Sequence, residues 1–229
     1  MNPVVLAVTG LAKEARIASG TGVLAIAGGG VRDGLVRQLE SVRTPGLRAV
    51  VSFGVAGALD PGFRVGDLVL ATEIIVDGGR MQASAELRRG WTDRLPGTSI
   101  RVAECPIAGV DQPVLTPAAK AGLHARSGAA AVDMESHVAA SFAARHGLPF
   151  GAIRVVSDGA HHTLPAAAAA AMRPDGSVDV GGVLRSLLRD PRQIPGLVAT
   201  ARDAAIAFRR LGRVRGLLDL SGGLLGLDL

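Results

Sequence analysis

The chain has one cysteine, Cys105, no tyrosine, and only 3% aromatic residues among 229. A single thiol excludes an intramolecular disulfide and any cysteine-built metal site, and it fits a reducing cytoplasm. So few aromatics leave no base-stacking platform of the kind that binds nucleic acid. The net charge is +5, yet no block of Lys and Arg stands out, so the basic balance reads as an Arg-rich solvated surface. No uninterrupted apolar run approaches the roughly 20 residues that span a membrane. The start, Met1 to Thr9, lacks the basic region of a signal peptide. The expectation is a cytoplasmic protein with a small-molecule partner, no nucleic acid and no bound metal.

Hydrophobic residues make up 48% of the chain, and there are 31 glycines. A core of Ala, Val, Leu and Ile is therefore available, in one large domain. Apolar, β-branched runs alternate with helical stretches. Val4–Thr9, Val23–Ala27, Leu47–Phe53, Val65–Ala71, Thr72–Val76, Ile100–Ala108, Ala129–Met134 and Phe150–Val156 read as strands. Leu11–Ser19, Val31–Glu40, Ala83–Leu95, Pro117–Ser127 and Glu135–His146 read as helices. This order predicts a single α/β domain over 1–229, three layers deep, around a central, mostly parallel mixed sheet. Residues from about 180 to 229 read as a C-terminal helical extension. Within it Leu197, Val198, Ala201, Ala205, Phe208 and Leu211 share one helix face. The six alanines from Ala166 read as a helix start, and the tail after Leu217 is leucine-rich and broken by glycine.

Three patterns follow predicted strands: Ser52-Phe53-Gly54-Val55-Ala56-Gly57-Ala58-Leu59, Val132-Asp133-Met134-Glu135-Ser136, and Val155-Val156-Ser157-Asp158-Gly159. They supply a glycine turn, a carboxylate at a strand-to-helix junction, and a carboxylate at a strand end. In an open α/β sheet such strand ends meet at one crevice. A carboxylate at the end of a buried strand is desolvated, which raises its pKa and suits a general acid. Gly28-Gly29-Gly30 and the Gly54–Gly57 loop would let backbone amides approach an oxygen-rich ligand.

In this order the patterns resemble the purine nucleoside phosphorylase and methylthioadenosine/S-adenosylhomocysteine nucleosidase superfamily, from Val4 to about Asp158. The resemblance implies cleavage of the bond between a ribose and a purine, without a cofactor, by a homo-oligomer. It implies that Asp158 protonates the base while Ser157 orients it, and that Glu135 takes the ribose hydroxyls with Met134 against the sugar. An ionised carboxylate offers the two acceptors that vicinal hydroxyls need. Glu14, after the first strand, matches the water-activating Glu of the nucleosidase branch. Gly28, Gly30, Gly54, Val55, Ala56 and Gly57 match the loops that face the nucleophile.

Two departures stand out. Val55 replaces a Ser that contacts phosphate in the phosphorylase branch, which favours water, although inorganic phosphate stays open as co-substrate. Arg16 and Arg48 are the cations that would offset the loss. In Val110-Asp111-Gln112-Pro113-Val114 a base-stacking aromatic is missing, so Val114 and its neighbours would line the base pocket. His161 and His162 are adjacent, diverge, and do not form a metal pair.

The whole chain looks most like the hopanoid-associated phosphorylases. The grounds are the Val132–Ser136 form, Ser157-Asp158-Gly159-Ala160, the alanine run and the stretch Leu184–Gln193. That group implies adenosylhopane as substrate, with adenine released, and peripheral contact with the inner membrane face. The alternatives are a nucleosidase for methylthioadenosine, S-adenosylhomocysteine or futalosine, and a nucleoside-binding module without turnover.

Overall fold

A computed structural model of the chain describes residues 5–165, 177, 179–218 and 220. The strands are β1 (Val5–Thr9), β2 (Val23–Ala27), β3 (Ala49–Ala58), β4 (Leu68–Val76), β5 (Gly79–Gln82), β6 (Val102–Gly109), β7 (Ala131–Asp133) and β8 (Phe150–Asp158). The helices are α1 (Ala12–Ala18), α2 (Arg32–Glu40), α3 (Ala85–Thr92), α4 (Pro117–Ser127), α5 (Ser136–Arg145), α6 (Val180–Arg189) and α7 (Ile194–Leu217). The alanine run and the tail from 221 lie outside the described residues.

Strand alternation divides the core into two layers. Leu6, Val8 and Val50 face one way, with Leu35 and Leu39 of α2 and Val138 and Phe142 of α5. Val5, Ala7, Ala49, Val51 and Phe53 face the other, with Leu87 and Trp91 of α3. Ala207, Leu211 and Val214 of α7 join that second layer. The segment read as an extension thus contributes a helix to the core. Because the side-chain period of a strand is two, both faces of β1 and β3 must be apolar, as their unbroken runs are.

The sheet is mixed and mostly parallel, in the order β2-β1-β3-β7-β6-β4-β5, with β8 paired to β3 and β4. It is not the open sheet expected from the sequence. The pairings β3–β8, β8–β4, β4–β6, β6–β7 and β7–β3 close a circuit. Three elements differ from expectation. Gly54–Gly57 is not a turn but part of β3, hydrogen-bonded to β8. Residues 68–76 form one strand whose register against β6 shifts between Ala71 and Ile74. The unanticipated β5 folds back on β4 as a hairpin.

Ladder register at the end of β8 matters for the site. Ala56 pairs with Val156, but Gly57 pairs with Asp158, so Ser157 is an extra residue. Such a bulge turns the following side chain to the other face.

Local signals set the helices that flank this region. Thr116 caps α4, its hydroxyl accepting from the Ala119 amide, with Pro117 in the first turn. Gly128 ends that helix at φ +69°. At α5 the Asp133 carboxylate caps the first turn, accepting from the Glu135 and Ser136 amides at 3.1 and 2.9 Å.

Candidate active site

One cleft is lined by residues from all three patterns. Gly10, Leu11 and Glu14 come from the β1–α1 junction, Val55, Ala56 and Gly57 from β3. Asp133, Met134 and Glu135 come from the β7–α5 junction, Ser157 and Asp158 from β8, and Val114 from the segment before α4. Gly28, Gly30 and Gly54 do not line it.

The Gly28–Gly30 segment makes a tight turn, with φ +67° at both Gly29 and Gly30. Two of its amides are already engaged: Gly28 donates to the Thr9 carbonyl and Gly29 to that of Gly10, each at 2.8 Å. Those two amides are thus not available to a phosphate. Gly54 serves another purpose. A Cβ there would lie 2.5 Å from Glu14 Oε1 and 2.6 Å from Arg154 Nη1. A Cβ on Gly10 would lie 2.6 Å from Glu135 Oε1. The two glycines are gaps into which charged side chains fit.

Glu14 is buried in the first turn of α1. Its Oε2 accepts from the Gly10 and Leu11 amides at 2.9 and 2.8 Å, and its Oε1 from the Val55 amide at 2.8 Å. The bond to Leu11 is the return half of a capping box. Glu14 therefore both starts a helix and reaches the cleft. Burial raises its pKa, against the pull of Arg154 and the three amides.

At the centre of the carboxylates is Arg154, fully buried on β8. Its Nε is 2.7 Å from Asp133 Oδ2, a charge contact whose angle falls short of a hydrogen bond. Its Nη2 is 3.5 Å from Glu135 Oε2 and donates to Ser52 Oγ. Its Nη1 donates to the Val55 carbonyl at 3.3 Å. Burial disfavours the guanidinium charge, but Asp133, Glu135 and Glu14 together outweigh it and hold its pKa above the ordinary value.

Three carboxylates share that one cation, and Glu135 bears the consequence. Burial first, then repulsion from Asp133 and Glu14, push its pKa up to about 8, although Arg154 opposes them. Protonation of Glu135 is thus favoured relative to an ordinary carboxyl. A protonated carboxyl retains one donor and acceptor capacity for hydroxyls.

A stability prediction follows, with a definite sign. Folding raises the Glu135 pKa from its ordinary 4.5 to about 8. The folded state thus binds this proton more tightly than the unfolded chain. That contribution is complete below about pH 4.5 and is lost as pH rises through about 8. The thermal midpoint of the ligand-free protein is expected to fall between about pH 4.5 and 8 and then level off, and Glu135→Gln to flatten that fall. Melting curves across pH 5–9 check it, and an equally steep decline in the variant would refute it.

At the other end of the cleft, Asp158 is buried but not alone. Ser157 Oγ lies 3.0 Å from its Oδ1 and 3.2 Å from the Ala56 carbonyl. Lys120 of α4 donates to its Oδ2 from below the cleft. The apolar strand end expected from the sequence is thus polar, with the Asp158 carboxyl held against the Lys120 ammonium. Arg16 is a surface residue bonded to the Ala12 carbonyl, and Arg48 is exposed before the start of β3, away from the cleft at its far end. Neither lines the cleft.

Sequence reading missed Arg154, Lys120, Asp133 and Gly10. Arg154 carried a signal, a lone charge inside Ile153-Arg154-Val155-Val156. A charge in a buried strand must be paired. Lys120, in a helix of small residues, carried none.

A family model of the phosphorylase superfamily matches residues 2–189, and the chain belongs to that superfamily. The match ends where α6 ends, before α7. No curated protein sequence matches significantly. Among solved structures, the futalosine hydrolase of Helicobacter pylori is similar at a TM-score of 0.61 and 17% identity, over 81% of this chain and 97% of that one. The 5′-methylthioadenosine/S-adenosyl homocysteine nucleosidase of the same organism gives 0.65 and 16%, over 95% and 100%. A 5′-methylthioadenosine/S-adenosylhomocysteine nucleosidase from Colwellia psychrerythraea, solved with adenine, gives 0.64 and 15%, over 95% and 96%. These likenesses establish the fold.

Proposed function

We propose that the chain cleaves the N-glycosidic bond of a purine ribosyl substrate, releasing adenine, with water as nucleophile. The observation that carries this reading is the meeting of Glu14, Glu135 and Asp158 in one cleft, from three separate sheet ends. Breaking the bond leaves positive charge on the ribose and negative charge on the base. Asp158 donates a proton to the departing base. Glu135 hydrogen-bonds the ribose hydroxyls, with Met134 against the sugar. Glu14 takes a proton from the attacking water, and its raised pKa makes it a better acceptor than an ordinary carboxylate.

Water is favoured over phosphate by the Val55 amide. That N–H is bonded to Glu14 Oε1, and the valine side chain has no donor of its own. Arg154 is likewise committed to carboxylates. A phosphate dianion in this cleft would meet Glu14 and Glu135 without an uncommitted cation among the described lining residues.

Adenosylhopane, the substrate implied by the resemblance to the hopanoid-associated phosphorylases, is the particular one we favour, and a larger cavity adjoins the cleft on the side assigned to the base. That cavity shares Val110, Pro113 and Val114 with the cleft and has a mixed lining, with Leu115, Leu123 and Met81 beside Arg32, Asp111 and Arg126. The compact substrates named for the structural relatives, 5′-methylthioadenosine and futalosine, are the second reading.

The test is incubation of the protein with adenosine-type substrates, with and without inorganic phosphate. Free base is followed by chromatography and the sugar product by mass. Free ribose-type product in the absence of phosphate is expected. Glu14→Gln should lower that rate by about 10²-fold or more, the scale of a lost general base. Strict phosphate dependence with full activity in Glu14→Gln would overturn the hydrolytic assignment. Tight binding without release of base would make the protein a binding module.

A further inference from the structure

Lys120 is the large buried cation that the proposed reaction leaves unused. It sits in the first turn of α4, outside the cleft lining, with no exposed surface. Its ammonium has three protons and three acceptors: Asp158 Oδ2, the Gly159 carbonyl at 2.8 Å, and the His162 carbonyl at 3.2 Å. A lysine is rarely buried so completely without a specific partner. Here the partner is the group that touches the base.

We propose that Lys120 is a positioning residue for Asp158, fixing its carboxyl against the leaving base and supplying the counter-charge to the carboxylate that proton donation creates. The inference rests on the glycosidic cleavage proposed above. In the step concerned, the Asp158 proton passes to a ring nitrogen of the base. The bond from the ribose carbon to the base breaks, and its electron pair leaves with the base. The negative charge left on Asp158 then lies in direct hydrogen-bond contact with an ammonium. In a buried site that contact is far stronger than in water. The bonds to Gly159 and His162 tie the chain following β8 to α4, so the carboxyl cannot swing out of line. Ser157 holds the opposite oxygen.

A double-mutant cycle separates this role from a merely structural one. The variants are Lys120→Met, Asp158→Asn and the pair together, assayed by single-turnover adenine release from an adenosine-type substrate. In the native background Lys120→Met is expected to lower the chemical step by about 10²-fold, with substrate affinity little changed. In the Asp158→Asn background the same change is expected to cost less than about twofold, because Lys120 acts only through Asp158. Equal losses in both backgrounds would overturn the proposal, and so would a native rate in Lys120→Met.

Removing the ammonium alone leaves the buried Asp158 carboxyl without its donor and can prevent folding. The double variant replaces both groups, and Lys120→Gln keeps a donor. Circular dichroism identifies the folded members, and the double variant against Asp158→Asn alone still decides the matter. If the native protein releases no base, the proposed activity falls. The same cycle is then read as calorimetric adenine affinity, where non-additive losses support the pairing and additive ones sink it.

Discussion

Asp158→Asn is expected to fold and to lose about 10²–10⁴-fold in turnover on a purine riboside, the usual scale for a general acid. The amide has nearly the same shape. It can still accept from Lys120 on its oxygen, and Ser157 can reorient to its nitrogen side. What it lacks is a proton acidic enough to pass to a leaving base. The loss should therefore fall on the chemical step rather than on substrate affinity. Single-turnover release of free base, compared with binding of a non-cleavable analogue, distinguishes the two. A rate near that of the native protein would remove Asp158 from the reaction and shift the acid role elsewhere in the cleft.

Arg154→Met is expected to have the largest effect on stability. Its guanidinium is the cation that Asp133, Glu135 and Glu14 have in common. Without it Asp133, Glu135 and Glu14 lose their shared buried counter-charge, and Ser52 and Ser136 lose a donor. Breaking a buried ion pair by removing one partner costs about 3–5 kcal/mol. For a domain of this size that corresponds to a fall of roughly 6–20 °C in thermal midpoint. The deficit should shrink in acid, as Glu14 and Glu135 take up protons and no longer need the cation. A variant that melts like the native protein at pH 7 would mean that the carboxylates are already neutral there.

The candidate carboxylates were legible because each sits beside a local signature. Glu14 follows a strand and opens a helix, Glu135 follows Asp-Met, and Asp158 follows a Ser at the end of an apolar run. The partners that set their charge were not, because Arg154 and Lys120 reach them across 19 and 38 positions of chain, from Glu135 and to Asp158. Pairing at such separations depends on sheet order, which no local pattern encodes. The error at Gly54–Gly57 has a related origin. Glycine permits both a turn and a close approach of side chains to a strand, and composition does not distinguish them. Only with Glu14 and Arg154 in place is it apparent that Gly54 makes room. Sheet closure was likewise beyond reading, because it rests on which distant strands pair, and β5 is too brief for periodicity to register.

The extra residue in β8 has a bearing on how one strand carries two kinds of chemistry. Arg154 pairs with Gly54, and Asp158 with Gly57, so the two side chains leave the ladder on opposite faces although they are four residues apart. Had the ladder run on evenly, Ser157 would stand opposite Gly57, and Asp158 would emerge on the side of Arg154. The acid would then join the guanidinium and its carboxylates in a single titrating group. Instead the bulge works as an insulator. Under the proposed assignment, the group that would protonate the base and the carboxylate that would hold the sugar contact separate cations, Lys120 and Arg154.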